Sequence, residues 1–168
     1  MAISEDMHRV AHHLQKTAVA AAVNERDSYA RSCYNRYYYS VFLQCREMLS
    51  DMDSSWSRMP HASYPDLLGG KVRRAFRTER IRASKSGDKD LVKLIDRACR
   101  SIAELQKIIV TANSTRVVAD YEPEEKVDFV VADRFSLRSI NVTEAHGWTI
   151  SVQTHCRTIL NVWRQSNA

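Results

Sequence analysis

Apolar residues recur at helical spacing along most of this chain, and short polar segments carrying Ser, Asp, Gly or Pro interrupt them. Residues 2–23 hold strong helix formers, with Met7, Val10, Ala11, Leu14, Ala18, Ala21 and Ala22 near one face, which predicts a first helix. A second helix, capped by Asn24 or Asp27, follows from Tyr34, Tyr38, Val41, Cys45 and Met48 at alternating four and three residues, with Phe42 and Leu49 widening the stripe. Residues 50–66 concentrate Ser and Asp with two prolines and read as a loop, and 67–81 read as a shorter basic helix. Beyond the breaker around Gly87, Asp88 is placed to cap the clearest amphipathic helix, marked by Leu91, Leu94, Ile95, Ala98, Ile102, Leu105 and Ile109.

After Asn113 the pattern weakens. Thr115, Val117 and Val118 lower helix propensity, Pro123 disfavours helix at Glu122, and the segment reads as a connector. Residues 126–140 are ambiguous, because the Val-Asp-Phe-Val-Val run fits a short strand as well as a helical turn. A last helix is expected over 141–164, with Ala145, Thr149, Val152, Cys156, Ile159 and Trp163 on one face. The expected fold is an all-α, up-and-down antiparallel bundle of four to five helices forming one domain over 1–168.

Composition narrows the class. Only 4 Gly and 3 Pro against 44% apolar residues leave too few turn formers for a many-stranded sandwich or barrel. The chain shows neither a signal-peptide pattern at its start nor an apolar run of membrane-spanning length, so a cytoplasmic protein without membrane contact is expected. Cys33, Cys45, Cys99 and Cys156 form no CxxC pair and read as small buried apolar residues in a reducing compartment.

Charge adds a candidate partner. Residues 71–107 hold 12 Lys or Arg against 5 Asp or Glu, and Arg73, Arg77 and Arg80 share one helix side. With Lys71 and Arg74 they are candidate contacts for a phosphate backbone, although the same residues can simply solvate exposed helix faces. Tyr34, Tyr37, Tyr38 and Tyr39 cannot share one face, so some are core and some are free to stack on bases beside Arg36. Arg31, Arg36 or Asp120 are candidate partners for the buried hydroxyls.

Two strings carry a family resemblance. Residues 32–49, in which Arg36 precedes paired tyrosines and an apolar helical run, are similar to the second-helix pattern of the HEPN family of nucleotide- and RNA-handling bundles. Arg116-Val-Val-Ala-Asp-Tyr-Glu-Pro123 resembles the segment that many members carry between their last long helices, and His61 stands where several have a His. The resemblance implies an RNA or nucleotide partner, no cofactor and no metal, a homodimer or a complex with a protein partner, and a toxin-antitoxin or phage-defence setting. It also implies a metal-independent endoribonuclease whose motif is an Arg followed after four to six residues by a His. Such chemistry needs a proton acceptor, a proton donor and a cation for the growing charge on phosphate.

This chain departs from that pattern. Its nearest Arg-to-His spacings are Arg9 to His12 or His13, Arg58 to His61 and Arg138 to His146, and Asp120 stands where the motif His would follow Arg116. Three readings stay open. Arg116 and Asp120 form a structural ion pair or helix-end cap; Arg116 reads phosphate in a nucleotide or RNA pocket; or Arg116 and Asp120 make a variant catalytic site with His146 or His155 of the last helix, His146 being the better exposed candidate. His8, His12 and His13 offer an i, i+4 imidazole pair, but no acidic residue completes a metalloprotease pattern. A function of another class, a non-catalytic helical subunit for a nucleotidyltransferase or a larger nuclease, fits the same features.

Overall fold

The computed structural model describes residues 2–131 and 134–166, and shows an all-α helical bundle with one small antiparallel sheet. Its elements are α1 (Ala2–Ala20), α2 (Arg26–Met52), α3 (Tyr64–Leu67), α4 (Arg73–Ser86), α5 (Lys89–Tyr121), β1 (Asp128–Val131), β2 (Arg134–Leu137), β3 (Ile140–Asn141) and α6 (Val142–Ser166). The chain divides into two compact units, residues 1–43 with 109–151 and residues 44–108 with 152–168.

In the first unit the core comes from the stripe expected on α2, where Tyr34, Tyr38, Val41 and Phe42 are buried, and Tyr37 is buried with them. Ser40 Oγ donates to the Ser4 carbonyl (2.8 Å) and Tyr37 to Gln15 Oε1 (2.6 Å), so α1 runs antiparallel to α2. Asn35 lies against Asp120 while Tyr38 lies against Arg116, which sets α5 antiparallel to α2 as well. Buried Ala11 and Ala18 keep the inner face of α1 small, and α1 ends at Ala20 instead of reaching 23.

Helix α5 does not stop at Asn113. It runs 33 residues to Tyr121 because burial of Ala112, Thr115, Val118 and Ala119 outweighs the few tenths of a kcal/mol per residue lost to β-branching. Thr115 Oγ1 bonds back to the Thr111 carbonyl at 2.9 Å, which satisfies its hydroxyl within the helix. The end does fall where Pro123 dictates, one residue before Glu122. Arg31 of α2 takes up the carbonyls left over there, donating to Val118 (3.3 Å), Ala119 (3.1 Å), Glu122 (3.2 Å) and Glu125. Asp27 holds Arg31 at 2.7 Å and accepts the Val127 N–H at 3.0 Å, tying the exit of α5 to the start of α2.

The ambiguous segment folds as strands in the order β1-β2-β3, with Ser136 opposite Asp128 and Asn141, and a bulge between Asp128 and Val131. Phe135 and Leu137 of β2 point inward and are buried, and Tyr34 donates its hydroxyl to the Ile140 carbonyl at 2.7 Å. The turn between β2 and β3 places Arg138 at φ 52, where the ion pairs to Glu122 and Glu125 hold it.

In the second unit residues 50–66 are mostly short turns of helix rather than loop: α2 continues to Met52, and 3-10 turns cover Ser54–Arg58 and His61–Ser63 before α3. A π-helical turn, Leu68–Val72, joins α3 to α4 and lets Gly69 abut Gln106, whose amide donates to the Pro65 carbonyl at 2.6 Å. Helix α4 ends at Gly87 with φ 78, and the Asp88 N–H returns to the Ala83 carbonyl at 2.9 Å, the left-handed stop that glycine favours. Asp88 then caps α5 by accepting the Leu91 N–H at 2.9 Å. Phe76 of α4 packs edge-on against Trp163 of α6 with ring centroids 5.7 Å apart.

Candidate functional site

Helical periodicity puts Arg116 and Asp120 one turn apart, and they pair at 3.0 Å. Asn35 of α2 donates to both oxygens of the carboxylate, at 3.0 and 2.9 Å. The guanidinium of Arg116 lies 5.7 Å from the ring centre of Tyr38 and 5.6 Å from that of Tyr121, within cation–π range of both. Burial works against its charge, but a hydrogen bond to Tyr39 and the nearby Asp120 more than offset this and raise its pKa. Arg116 is therefore a fixed cation in a half-buried polar network. Asp120 is held by side chains, Asn35 and Arg116, and among the described residues no backbone N–H donates to it as in a helix-end cap.

His146 belongs to a different cluster. On the first turns of α6 it packs against His8 and His12 of α1, with ring centroids 4.8 and 5.0 Å apart, and its Nδ1 lies 2.9 Å from the Tyr37 hydroxyl. The hydrogen-bond directions can be assigned from the network. Ser40 spends its proton on the Ser4 carbonyl, so Thr149 donates to Ser40 Oγ (3.2 Å) and must accept from His8 Nδ1–H at 3.0 Å. By the same reasoning Tyr37 donates to Gln15 and accepts from His146 Nδ1–H. Both imidazoles then carry their proton on Nδ1. Burial, followed by the neighbouring imidazoles, lowers the pKa of His8, and burial with His12 lowers that of His146. Nδ1 of His12 is buried without a hydrogen-bond partner among the described residues. His8 and His146 are therefore neutral packing histidines at neutral pH. Among the described residues no three His, Cys, Asp or Glu side chains are placed to hold a metal ion, this trio included.

The hydroxyls of Tyr34 and Tyr37 use partners other than Arg31, Arg36 or Asp120. Tyr34 bonds the sheet carbonyl, and Tyr37 bonds Gln15 and His146. Arg36 is exposed on α2, and Tyr39 is half-buried against Arg116.

On α4, Arg73, Arg77 and Arg80 do share a side, all three acting on the half-buried thiol of Cys99 on α5. Arg80 forks onto Asp96 at 2.7 and 3.3 Å, and Arg82 pairs with Glu79 at 2.7 Å. Lys71, Arg74 and Arg77 are exposed and Arg73 half-buried, and these four pair with no carboxylate among the described residues. Among the described residues no helix is long and apolar enough to cross a membrane.

The three-histidine cluster was not legible in the sequence, where only the i, i+4 spacing of His8 and His12 hints at it. Compared with family models, with curated proteins and with solved structures, the chain matches none.

Proposed function

We propose that this chain is a HEPN-like helical domain that binds RNA or a nucleotide and does not itself cut it, working as a homodimer or with a protein partner. The carrying observation is the set of four α4-side cations, Lys71, Arg73, Arg74 and Arg77, which form no ion pair with a carboxylate among the described residues, while Arg80 and Arg82 are neutralised by neighbours. Cations not held in ion pairs are those that release counterions when they meet phosphate, and so favour polyanion binding. The cutting reading has less support. Arg116 is engaged by Asp120 and Tyr39, and His146 is hydrogen-bonded to Tyr37 and packed on other histidines. The same commitments favour the non-catalytic subunit as the second reading.

The test is retention of labelled single-stranded RNA as a function of salt. The log affinity should fall with log salt by about 0.7 per phosphate contacted, and Arg73→Ala with Arg77→Ala should reduce that slope by roughly 1.4. A wild-type protein that fails to retain RNA at low salt overturns the binding reading. Cleavage of RNA in EDTA that vanishes in Arg116→Ala or His146→Ala would overturn the non-cutting one.

A further inference from the structure

We propose that the three-histidine cluster of the first unit is an acid-operated latch, whose protonation parts α1 from α2 and α6 while the rest of that unit stays folded. The inference does not rest on the RNA reading. His146 of α6 stands at the centre, with the rings of His8 and His12 of α1 at 4.8 and 5.0 Å. His8 and His146 carry their single proton on Nδ1 and spend it on Thr149 and Tyr37. A further proton therefore goes to Nε2 and brings a positive charge. Once His146 and either neighbour are charged, like charges repel each other at those ring distances across the boundary between α1 and α6.

No carboxylate is paired with the cluster. From α2 it is faced by the Tyr37 hydroxyl and from α6 by the Thr149 hydroxyl, and neither supplies an anion near neutral pH. The other titratable side chains near it in helical position are Glu5, Asp6, Arg9, His13 and Lys16 of α1, Arg36 of α2 and Glu144 of α6. Among the described residues none of these forms an ion pair with His8, His12 or His146, and Asp6 is taken by Arg9. The hold on α1 is also light. Among its described residues only Ser4, Ala11 and Ala18 are buried, all small, whereas α2 buries Tyr34, Tyr37, Tyr38 and Phe42. Polar bonds at Ser4, His8 and Gln15 therefore carry much of the attachment, and residues 21–25 join α1 to α2 outside either helix. Nδ1 of His12, buried without a hydrogen-bond partner among the described residues, gains water when the helices part. Burial, with the neighbouring imidazoles, holds His8 and His146 below the ordinary pKa of 6.5. The latch is thus closed above that value and opens as pH falls below it, before Asp27 takes up its proton.

The test is hydrogen–deuterium exchange of the full chain at about pH 7.5 and about pH 5, read by mass spectrometry and corrected for the intrinsic pH dependence of amide exchange. Peptides from residues 2–20 should exchange at least about tenfold faster at the lower pH and recover on return, while those from residues 109–121 keep their protection. His146→Gln takes up no proton and should remove most of that acceleration. His12→Gln, which gives up no hydrogen bond at Nδ1, is the gentler variant and should move the opening to lower pH. Protection of α1 that is unchanged between the two pH values overturns the proposal, and so does its loss together with that of residues 109–121. Opening of both variants at the pH of the wild type overturns it as well.

Discussion

Replacing Arg31 by Ala should be among the most damaging single substitutions outside the apolar core. Its side chain is 13% exposed and its guanidinium serves four carbonyls at the end of α5 together with the Asp27 carboxylate. A hydrogen bond from a charged donor contributes about 1.5–3 kcal/mol, but five acceptors sharing one guanidinium do not add, and water can replace part of the set near the exposed residues of the turn. The net loss should be about 3 kcal/mol, a large fraction of the roughly 5–15 kcal/mol that stabilises a domain. Arg31→Lys keeps the charge but supplies a compact ammonium instead of a planar fork, so it should recover less than about half of that loss. Urea unfolding followed by helical circular dichroism measures both, and the Ala variant's midpoint should drop by about 1–2 M. Hydrogen exchange should show the loss first in the last two turns of α5. A loss below about 1 kcal/mol would refute the reasoning, because it would mean that water caps these carbonyls as well as Arg31 does.

Asp27, the partner of Arg31, gives an acid-side prediction. Burial raises its pKa, but the Val127 N–H and Arg31 outweigh that and hold it below the ordinary carboxylate value. Its stabilisation is therefore present above about pH 3.9 and lost as pH falls through the folded value, which a urea series from pH 5 to pH 2 would reveal as a loss absent from Asp27→Asn. His8 and His146 act earlier. Their folded pKa values are depressed, so the unfolded chain takes up protons first and stability should begin to fall as pH drops below about 6.5; a double His8→Gln, His146→Gln variant should flatten that limb, and an unchanged pH profile would count against the cluster. Gly69→Ala should cost about 1–3 kcal/mol in urea unfolding, since its Cβ would fall 2.5 Å from Gln106 Nε2 and displace the bond to Pro65. Gly70→Ala, with nothing within 4 Å of the new Cβ, should be neutral or mildly stabilising, and equal losses at both positions would show that backbone freedom, not the contact, decides.

The features legible in the sequence are those whose physics is local. Tyr34, Tyr38, Val41, Cys45 and Met48 are all buried because a helix repeats its face every three to four residues, and the row of Arg73, Arg77 and Arg80 follows from the same period. Asp88 caps α5 as its position foretells. What escaped depends on contacts between distant residues. Propensity stops α5 at Asn113, but Arg31, 87 residues before Val118, carries it on to Tyr121. His8 and His146 meet across a separation that no spacing rule addresses. The strands of residues 128–141 stayed ambiguous because runs of four residues or fewer hold too little periodicity to choose a state.

The Arg116 network also bears on where a polyanion would bind. A guanidinium 3.0 Å from a carboxylate presents little net charge to a third party, and displacing Asp120 would also cost its two contacts from Asn35. The residues that follow sharpen the disadvantage: Glu122, Glu124 and Glu125 come directly after Tyr121, with Arg138 as the cation that balances two of them. A phosphate approaching the end of α5 therefore meets an acidic surround, and one approaching α4 meets Lys71, Arg73, Arg74 and Arg77, which form no ion pair with a carboxylate among the described residues. On these grounds Arg116 is a residue that holds the fold, and the nucleic-acid binding proposed above falls to α4, whose signature in the sequence is its arginine spacing. Arg116→Ala should accordingly lower stability and leave the salt slope of RNA retention unchanged, the inverse of what the α4 substitutions do.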